Sequence, residues 1–212
     1  MRFLVIWEQI CPMGQASAKA FAAIVPVLVI SFCLNVMLTD LYYSLDPADL
    51  SNSADINSQV VDFLRGKGDL PDVFEPKEKE HMEDVKELMD SFFWMASVLF
   101  IAEIILLMHI LRKGSLRSAL RYSSVSTWGL SILLVFGAFF FDPMFRLFHK
   151  LFFEPGSWIF EPTDIIVNIY PKDYFIQGFL LILVGLAVFG LMSIIACKWL
   201  DLIKTYLIQA DR

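Results

Sequence analysis

Apolar residues are concentrated in four long runs, separated by segments in which charged and polar residues recur. A helix needs about 20 apolar residues to cross the hydrocarbon layer of a bilayer, and each run approaches that length. The pattern predicts an all-α integral membrane protein with four transmembrane helices and a largely helical domain formed by two loops on one side. The predicted spans are Ala20–Leu38, Phe92–Leu111, Ser126–Phe141 and Phe175–Trp199.

The two longest polar segments, residues 39–91 and 142–174, carry helical periodicity of their own. Lys77–Met89 places Met82, Val85, Leu88 and Met89 on one face, which predicts an amphipathic helix that continues into the second span. Asp142-Pro143 is a helix-start signal, and the phenylalanines that follow predict a helix lying in the membrane interface. The run Ile165–Ile169 is compatible with a short strand or an interfacial loop.

Basic residues predict the orientation. The short loop at residues 112–125 contains Arg112, Lys113, Arg117 and Arg121 and no acidic residue, so the positive-inside rule makes it cytoplasmic. Residues 1–19 and 200–212 are then cytoplasmic too, and both long polar segments lie outside. Tyr42 and Tyr43 suit the headgroup boundary at the start of the first outer segment.

Composition agrees with a membrane protein and excludes several functions. Hydrophobic residues make up 57% of the chain and the mean hydropathy is +0.62. Residues 39–91 hold fourteen acidic and five basic residues, which argues against nucleic-acid binding. The three cysteines, Cys11, Cys33 and Cys197, have no spacing typical of a disulfide framework or zinc site. Neither a P-loop nor a GxGxxG motif is present, so nucleotide chemistry and a bound cofactor are not expected.

Two of the three histidines, His81 and His149, fall in the outer segments and are the candidate catalytic residues. Imidazole transfers protons near neutral pH, and two such groups near the lipid headgroups suggest acid–base work on a lipid-linked substrate. Asp84, three residues after His81, is positioned to orient that ring. His109 lies inside the second span and is interpreted as structural. Glu103, also in that span, could be protonated, pair with Ser131 or line a cavity.

The residues alone leave two alternatives open. His81, Glu80, Glu83, Asp84 and His149 could ligate Zn²⁺ or Mn²⁺ in a membrane metallo-hydrolase, although no HExxH-like pair fixes two ligands on one helix. A non-catalytic accessory subunit would need no chemistry from the histidines.

Two stretches together resemble the bacterial lipoprotein intramolecular transacylase family. They are FEPKEKEHMEDVKELM before the second span and FHKLFFEPGSWIFEPTDIIVNIYPKDYF before the fourth. The resemblance covers most of the chain, including the four spans and the unequal outer loops. Glu161 stands where the family pattern leads us to expect Asp.

The resemblance implies transfer of the sn-2 acyl chain of a lipoprotein's diacylglyceryl-cysteine to the α-amino group of the same cysteine. It implies His81 and His149 as the catalytic pair, Asp84, Trp158 and Asp164 as supporting residues, and no metal or other cofactor. The partners would be a diacylated lipoprotein N-terminus and membrane lipid, at the outer leaflet of a bacterial cell membrane. Trp158, Tyr42 and Tyr43 are candidate donors to an oxyanion; which histidine is acid and which is base stays open.

Overall fold

The computed structural model describes residues 12–39, 42 and 54–210. Tyr43 and Cys11 therefore lie outside the described residues. The part of the chain that the structure describes contains helices and no strand, in agreement with the predicted all-α class. The helices are α1 Pro12–Met37, α2 Ala54–Leu64, α3 Pro76–Lys113, α4 Leu116–Phe139, α5 Phe141–Phe152, α6 Ile165–Ile169 and α7 Lys172–Ala210.

Four helices, α1, α3, α4 and α7, are long and apolar enough to cross a membrane. In their most apolar windows only 17–28% of the residues are buried, so most apolar side chains face outward, as lipid contact requires. All four helices are longer than the apolar runs predicted from the sequence. At ~1.5 Å per residue α3 is about 57 Å long, whereas the hydrocarbon layer is about 30 Å thick. The charged N-terminal part of α3 carries His81. It continues directly into the apolar part of the helix but lies beyond the length that the hydrocarbon layer can enclose.

The turn between α3 and α4 occupies only two residues of the basic segment 112–125. Gly114 adopts the left-handed conformation (φ 66°) that glycine tolerates best. Its N–H donates to Leu111 O, and the N–H of Ser115 donates to Ile110 O, the hydrogen-bond pair that closes a Schellman motif. α4 therefore begins at Leu116, ten residues before the apolar run at Ser126.

The described chain divides into two compact units. The first, here called the basic-loop unit, comprises the described parts of residues 1–30, 96–134 and 183–212. The second, the histidine unit, comprises those of residues 31–95 and 135–182. The buried core of the histidine unit consists of Tyr42, Val60, Phe74, Met82, Ile166, Ile169 and Tyr174. The short run 165–169, whose sequence is compatible with a strand or a loop, is a helix that contributes two of these core residues.

In the basic-loop unit, Glu103 is buried and, among the described residues, neither of its carboxyl oxygens has a hydrogen-bond partner. Pairing with Ser131 is therefore not observed, since the Ser131 hydroxyl donates to Thr127 O of its own helix. The same stretch of α4 packs tightly against α7. A Cβ added at Gly190 would lie 2.7 Å from Trp128 Cδ1 and 2.8 Å from Thr127 Oγ1. Gly190 is thus required for this close approach.

We expect Gly190→Ala to destabilise the protein by about 1–3 kcal/mol, because overpacking displaces neighbouring atoms and the Thr127 hydroxyl is held by Ser123 O. Gly129→Ala is the matched control, since a Cβ there meets nothing within 4 Å. Thermal unfolding in detergent should show a lower Tm for Gly190→Ala only. A Gly190→Ala protein as stable as Gly129→Ala would show that the helices are not in close contact here.

Candidate active site

The histidine unit brings His81 and His149 together, although 67 residues separate them in sequence. His81 lies in the second turn of α3 and His149 near the end of α5. Their ring centroids are 6.0 Å apart with 27° between the planes. Both are buried, with 6% and 9% of their surface exposed.

The amphipathic character of α5 explains how His149 is buried. Asp142 occupies the first turn, where a carboxylate complements the helix dipole, and Lys150 the last. His149 is the buried residue of this helix, whereas Met144, Leu147 and Leu151 are exposed. A helix that exposes this much apolar surface and turns its imidazole inward is suited to lying at a lipid interface.

Aromatic rings enclose both imidazoles. His81 contacts Phe153 and Phe160, at centroid distances of 4.8 and 5.4 Å. His149 contacts Phe145 at 4.1 Å, Phe153 at 5.3 Å and Trp158 at 5.0 Å. Because aromatic side chains replace water around the pair, the charged form of each imidazole is disfavoured.

One hydrogen bond determines the tautomer of neutral His149. Its Nδ1 lies 2.8 Å from the carbonyl oxygen of Phe145, one turn earlier on α5. A carbonyl oxygen only accepts, so Nδ1 must carry the proton. Nε2 then bears the lone pair, which is the arrangement a general base needs.

Both histidines are held neutral near pH 7. The pKa of His81 is lowered from 6.5 to about 4, mainly by burial and to a smaller extent by the nearby His149, against the opposite effect of Asp84. Burial also lowers the pKa of His149, against the hydrogen bond to Phe145. The environment thus opposes charging of either ring.

Two buried polar atoms beside His149 are unsatisfied. In the described part of the chain, neither Nδ1 of His81 nor the indole Nε1 of Trp158 has a hydrogen-bond partner. A buried, unpaired N–H costs about 1–3 kcal/mol, and such groups often mark a site completed by a ligand. Their position next to both imidazoles makes this the strongest sign of a substrate site.

The other predicted site residues have different surroundings. Asp84 is half-buried and acts on His81 as a neighbouring charge; no hydrogen bond joins the two among the described residues. The carboxylate of Asp164 accepts from the N–H of Glu161 at 2.7 Å and precedes α6, so it stabilises the turn after Trp158. The Tyr42 hydroxyl donates to Tyr174 O at 3.0 Å within the core. Tyr43 lies outside the described residues.

Sequence reasoning missed Glu78, which connects the two histidine segments. It is 1% exposed, one turn before His81. One carboxylate oxygen accepts from the N–H of Glu75 at 2.7 Å and the other from the N–H of Ile166 at 2.8 Å. The first bond is half of a capping box, a signal visible in the sequence as Pro76 followed by an acidic residue at the third helical position. The second, across 88 residues, has no sequence signal.

Lys77 adds a second connection. Its ammonium donates to the carbonyl oxygen of Ile159 and lies 5.2 Å from the ring centroid of Phe160. Trp158 and Phe160 line the histidine pair. The segment that carries them is therefore held to the start of α3 by Lys77 at Ile159 and by Glu78 at Ile166. Over the described residues, no three His, Cys, Asp or Glu side chains are grouped so as to hold a metal ion.

Comparison with known proteins identifies the family. The model of the family described as "Lipoprotein intramolecular transacylase Lit" matches residues 19–175, well over half of the chain. The chain belongs to this family. An uncharacterized protein of Aquifex aeolicus (strain VF5) is 31% identical over 129 residues, 56% of this chain. The match spans 54% of that relative, about half its length.

Solved structures of this family share the fold. The in meso structure of the membrane integral lipoprotein intramolecular transacylase Lit from Bacillus cereus superposes with a TM-score of 0.79 at 19% identity. The superposition covers 92% of this chain and 98% of the other. A variant of the same protein, with a histidine-to-alanine substitution, gives 0.74 at 19% identity over 92% and 96%. Four apolar helices and these membrane relatives make this chain a multi-pass membrane protein.

The lowered pKa values predict a measurable titration. Between pH 6.5 and about 4 the unfolded chain binds more protons at His81 than the folded chain does, so stability should fall as pH decreases through this window. We expect Tm to decline from pH 6.5 to 5, and less steeply in His81→Gln than in the control His109→Gln. Histidine NMR should place the His81 midpoint near 4; equal slopes and a midpoint at 6.5 would contradict a buried neutral imidazole.

The Glu78 connection predicts a local loss of order in Glu78→Gln. The amide has one acceptor oxygen instead of two and directs an NH₂ group towards a backbone N–H. We expect a destabilisation of about 1–3 kcal/mol and faster hydrogen exchange at the Ile166 amide. The exposed Glu80→Gln is the control. Unchanged exchange at Ile166 would show that Glu78 does not hold this segment.

Proposed function

We propose that this protein is a lipoprotein intramolecular transacylase. In this proposal it moves the sn-2 acyl chain of a diacylglyceryl-cysteine to the α-amino group of the same cysteine, giving a lyso-form lipoprotein. Family membership supports the reaction class. The observation that carries the chemistry is the buried pair of neutral imidazoles, in which Nε2 of His149 bears a lone pair.

The acyl shift needs a base and then an acid at one place. The neutral α-amino nitrogen attacks the ester carbonyl, and the new N–C bond leaves a proton on nitrogen. His149 Nε2 takes that proton, and the resulting imidazolium donates it to the glycerol oxygen as the C–O bond breaks. The cycle returns His149 to its starting form, the same base-then-acid use of one imidazole as in serine hydrolases.

Two further groups suit the tetrahedral intermediate. The Trp158 N–H, buried and without a partner among the described residues, supplies a donor of the kind an oxyanion needs. His81, neutral and 6.0 Å from His149 in centroid distance, is placed to hold the substrate, with one ring nitrogen donating a hydrogen bond and the other accepting one. When His149 is charged, a second positive charge on His81 is unfavourable, so His81 stays neutral. The proton on His149 then passes to the leaving oxygen.

The acyl transfer needs no external source of free energy. An amide is more stable than an ester, so the transfer is downhill. Donor and acceptor belong to one molecule, and correct positioning can then account for about 7–11 kcal/mol of the barrier. The enclosing aromatic rings would hold the reacting atoms together and exclude competing water.

The positive-inside rule supports an outer location for the proposed site. With the basic loop after α3 in the cytoplasm, both termini are cytoplasmic and the histidine unit faces outside. The exposed apolar residues of α5 would rest among outer-leaflet lipids, which brings His149 to the depth of the lipid ester groups.

The test is replacement of each histidine. His149→Ala should lower conversion of diacyl to lyso-form lipoprotein by about 10²–10⁴-fold, the contribution typical of an acid–base group. His81→Ala should lower it by about 10–10²-fold, because it removes hydrogen bonds to the substrate. His109→Ala replaces the third histidine of the chain, which lies in the basic-loop unit, and should retain activity. Mass spectrometry of the N-terminal lipopeptide, with Tm as the folding control, provides the measurement. Full conversion by folded His149→Ala would exclude the proposed base.

A further inference from the structure

The basic-loop unit contains a cleft unrelated to the histidine pair. Its volume is about 300 Å³, and it lies between the first turns of α4 and the end of the apolar part of α7. Three cations, Arg117, Arg121 and Lys198, and a single carboxylate, Asp201, line it. The lining of the cleft therefore carries an excess of positive charge, although the net charge of the whole chain is −6.

The charges in this cleft are unevenly satisfied. Arg117 forms a bidentate pair with Asp201, with Nε–Oδ1 at 2.7 Å and Nη2–Oδ2 at 3.0 Å, which connects α4 to α7. Arg121 and Lys198 make no hydrogen bond or ion pair with any residue in the described ranges. Two exposed cations from different helices therefore face a space in which the carboxylate of Asp201 is already paired with Arg117.

The rest of the lining is apolar. Val125 and Ile194 border the cleft and are themselves exposed, at 67% and 36%. Val125 immediately precedes the apolar run of α4, and Lys198 stands beside Trp199 where the apolar run of α7 ends. The cations consequently lie at the boundary between the membrane-crossing part of these helices and their polar ends, the depth of lipid phosphate groups.

We infer that this cleft binds the phosphate of an anionic phospholipid head group, with an acyl chain along Val125 and Ile194. A guanidinium and an ammonium are the side chains that best bind phosphate oxygens. Basic pockets between membrane helices are suited to such head groups, and the exposed apolar border favours a lipid over free phosphate.

The test compares two double variants of the full-length protein. Arg121→Gln with Lys198→Gln removes the two unpaired cations. Arg112→Gln with Lys113→Gln, at the exposed end of α3, removes one arginine and one lysine outside the cleft. Delipidated protein in detergent is titrated with phosphatidylglycerol or phosphatidylcholine, and native mass spectrometry gives each Kd.

We expect wild type to prefer phosphatidylglycerol and the cleft variant to bind it about tenfold more weakly. The Arg112/Lys113 variant should change less than about twofold. Equal weakening in both variants would overturn the site in favour of general surface charge. If inorganic phosphate raises Tm as much as phosphatidylglycerol does, the lipid as source is wrong and the cleft takes free phosphate.

Salt dependence covers the case in which the cleft variant fails to fold. In wild type alone, the preference for phosphatidylglycerol should disappear as NaCl is raised, because exposed charges are screened. A preference that persists in high salt would contradict a phosphate bound by these cations. Both readouts are independent of acyl transfer, so this inference and the proposed function can fail separately.

Discussion

The histidine site depends on one buried carboxylate. Glu78 accepts a backbone N–H from the start of its own helix and another from the start of α6, with almost none of its surface exposed. A charged group in such a position is tolerated because both oxygens are hydrogen-bonded. Its effect is to fix the segment that carries Trp158 and Phe160 against the helix that carries His81. Without that bond, the segment would be held by aromatic packing and by the Lys77 contacts to Ile159 O and Phe160.

The aromatic rings that enclose the two histidines also determine the protonation state of the pair. Phe153 touches both imidazoles, and Phe145, Phe160 and Trp158 complete the surround. Removing water lowers the pKa of both histidines. The hydrogen bond from His149 to Phe145 O then selects which ring nitrogen is free. Packing therefore disfavours the charged form of both rings, and the hydrogen bond to Phe145 O determines the tautomer of His149.

The sequence predicted the long helices from local signals, whereas the histidine pair was expected because both outer segments lie on one side and because of the family resemblance. The four apolar runs predicted the long helices, and the periodicity of 77–89 predicted continuity into the second span. Their ends were missed where polar residues remain helical: Arg117 and Arg121 fit a loop by composition, yet lie in α4. Asp84 was expected to orient His81 from i,i+3 spacing, but spacing does not fix where a half-exposed carboxylate points. The bond from Glu78 to Ile166 joins distant segments and has no local pattern.

A site that keeps imidazoles neutral suits an amine nucleophile for a further reason. A free α-amino group titrates near ~7.7–8 and is partly protonated at neutral pH. Among the same aromatic side chains, its charged form would lose hydration just as the imidazolium does, so the neutral nucleophile would be favoured. If His149 were protonated before the reaction, that proton would occupy the Nε2 lone pair that must accept the proton of the amine. In the proposed reaction, the burial that lowers the histidine pKa values thus prepares base and nucleophile together.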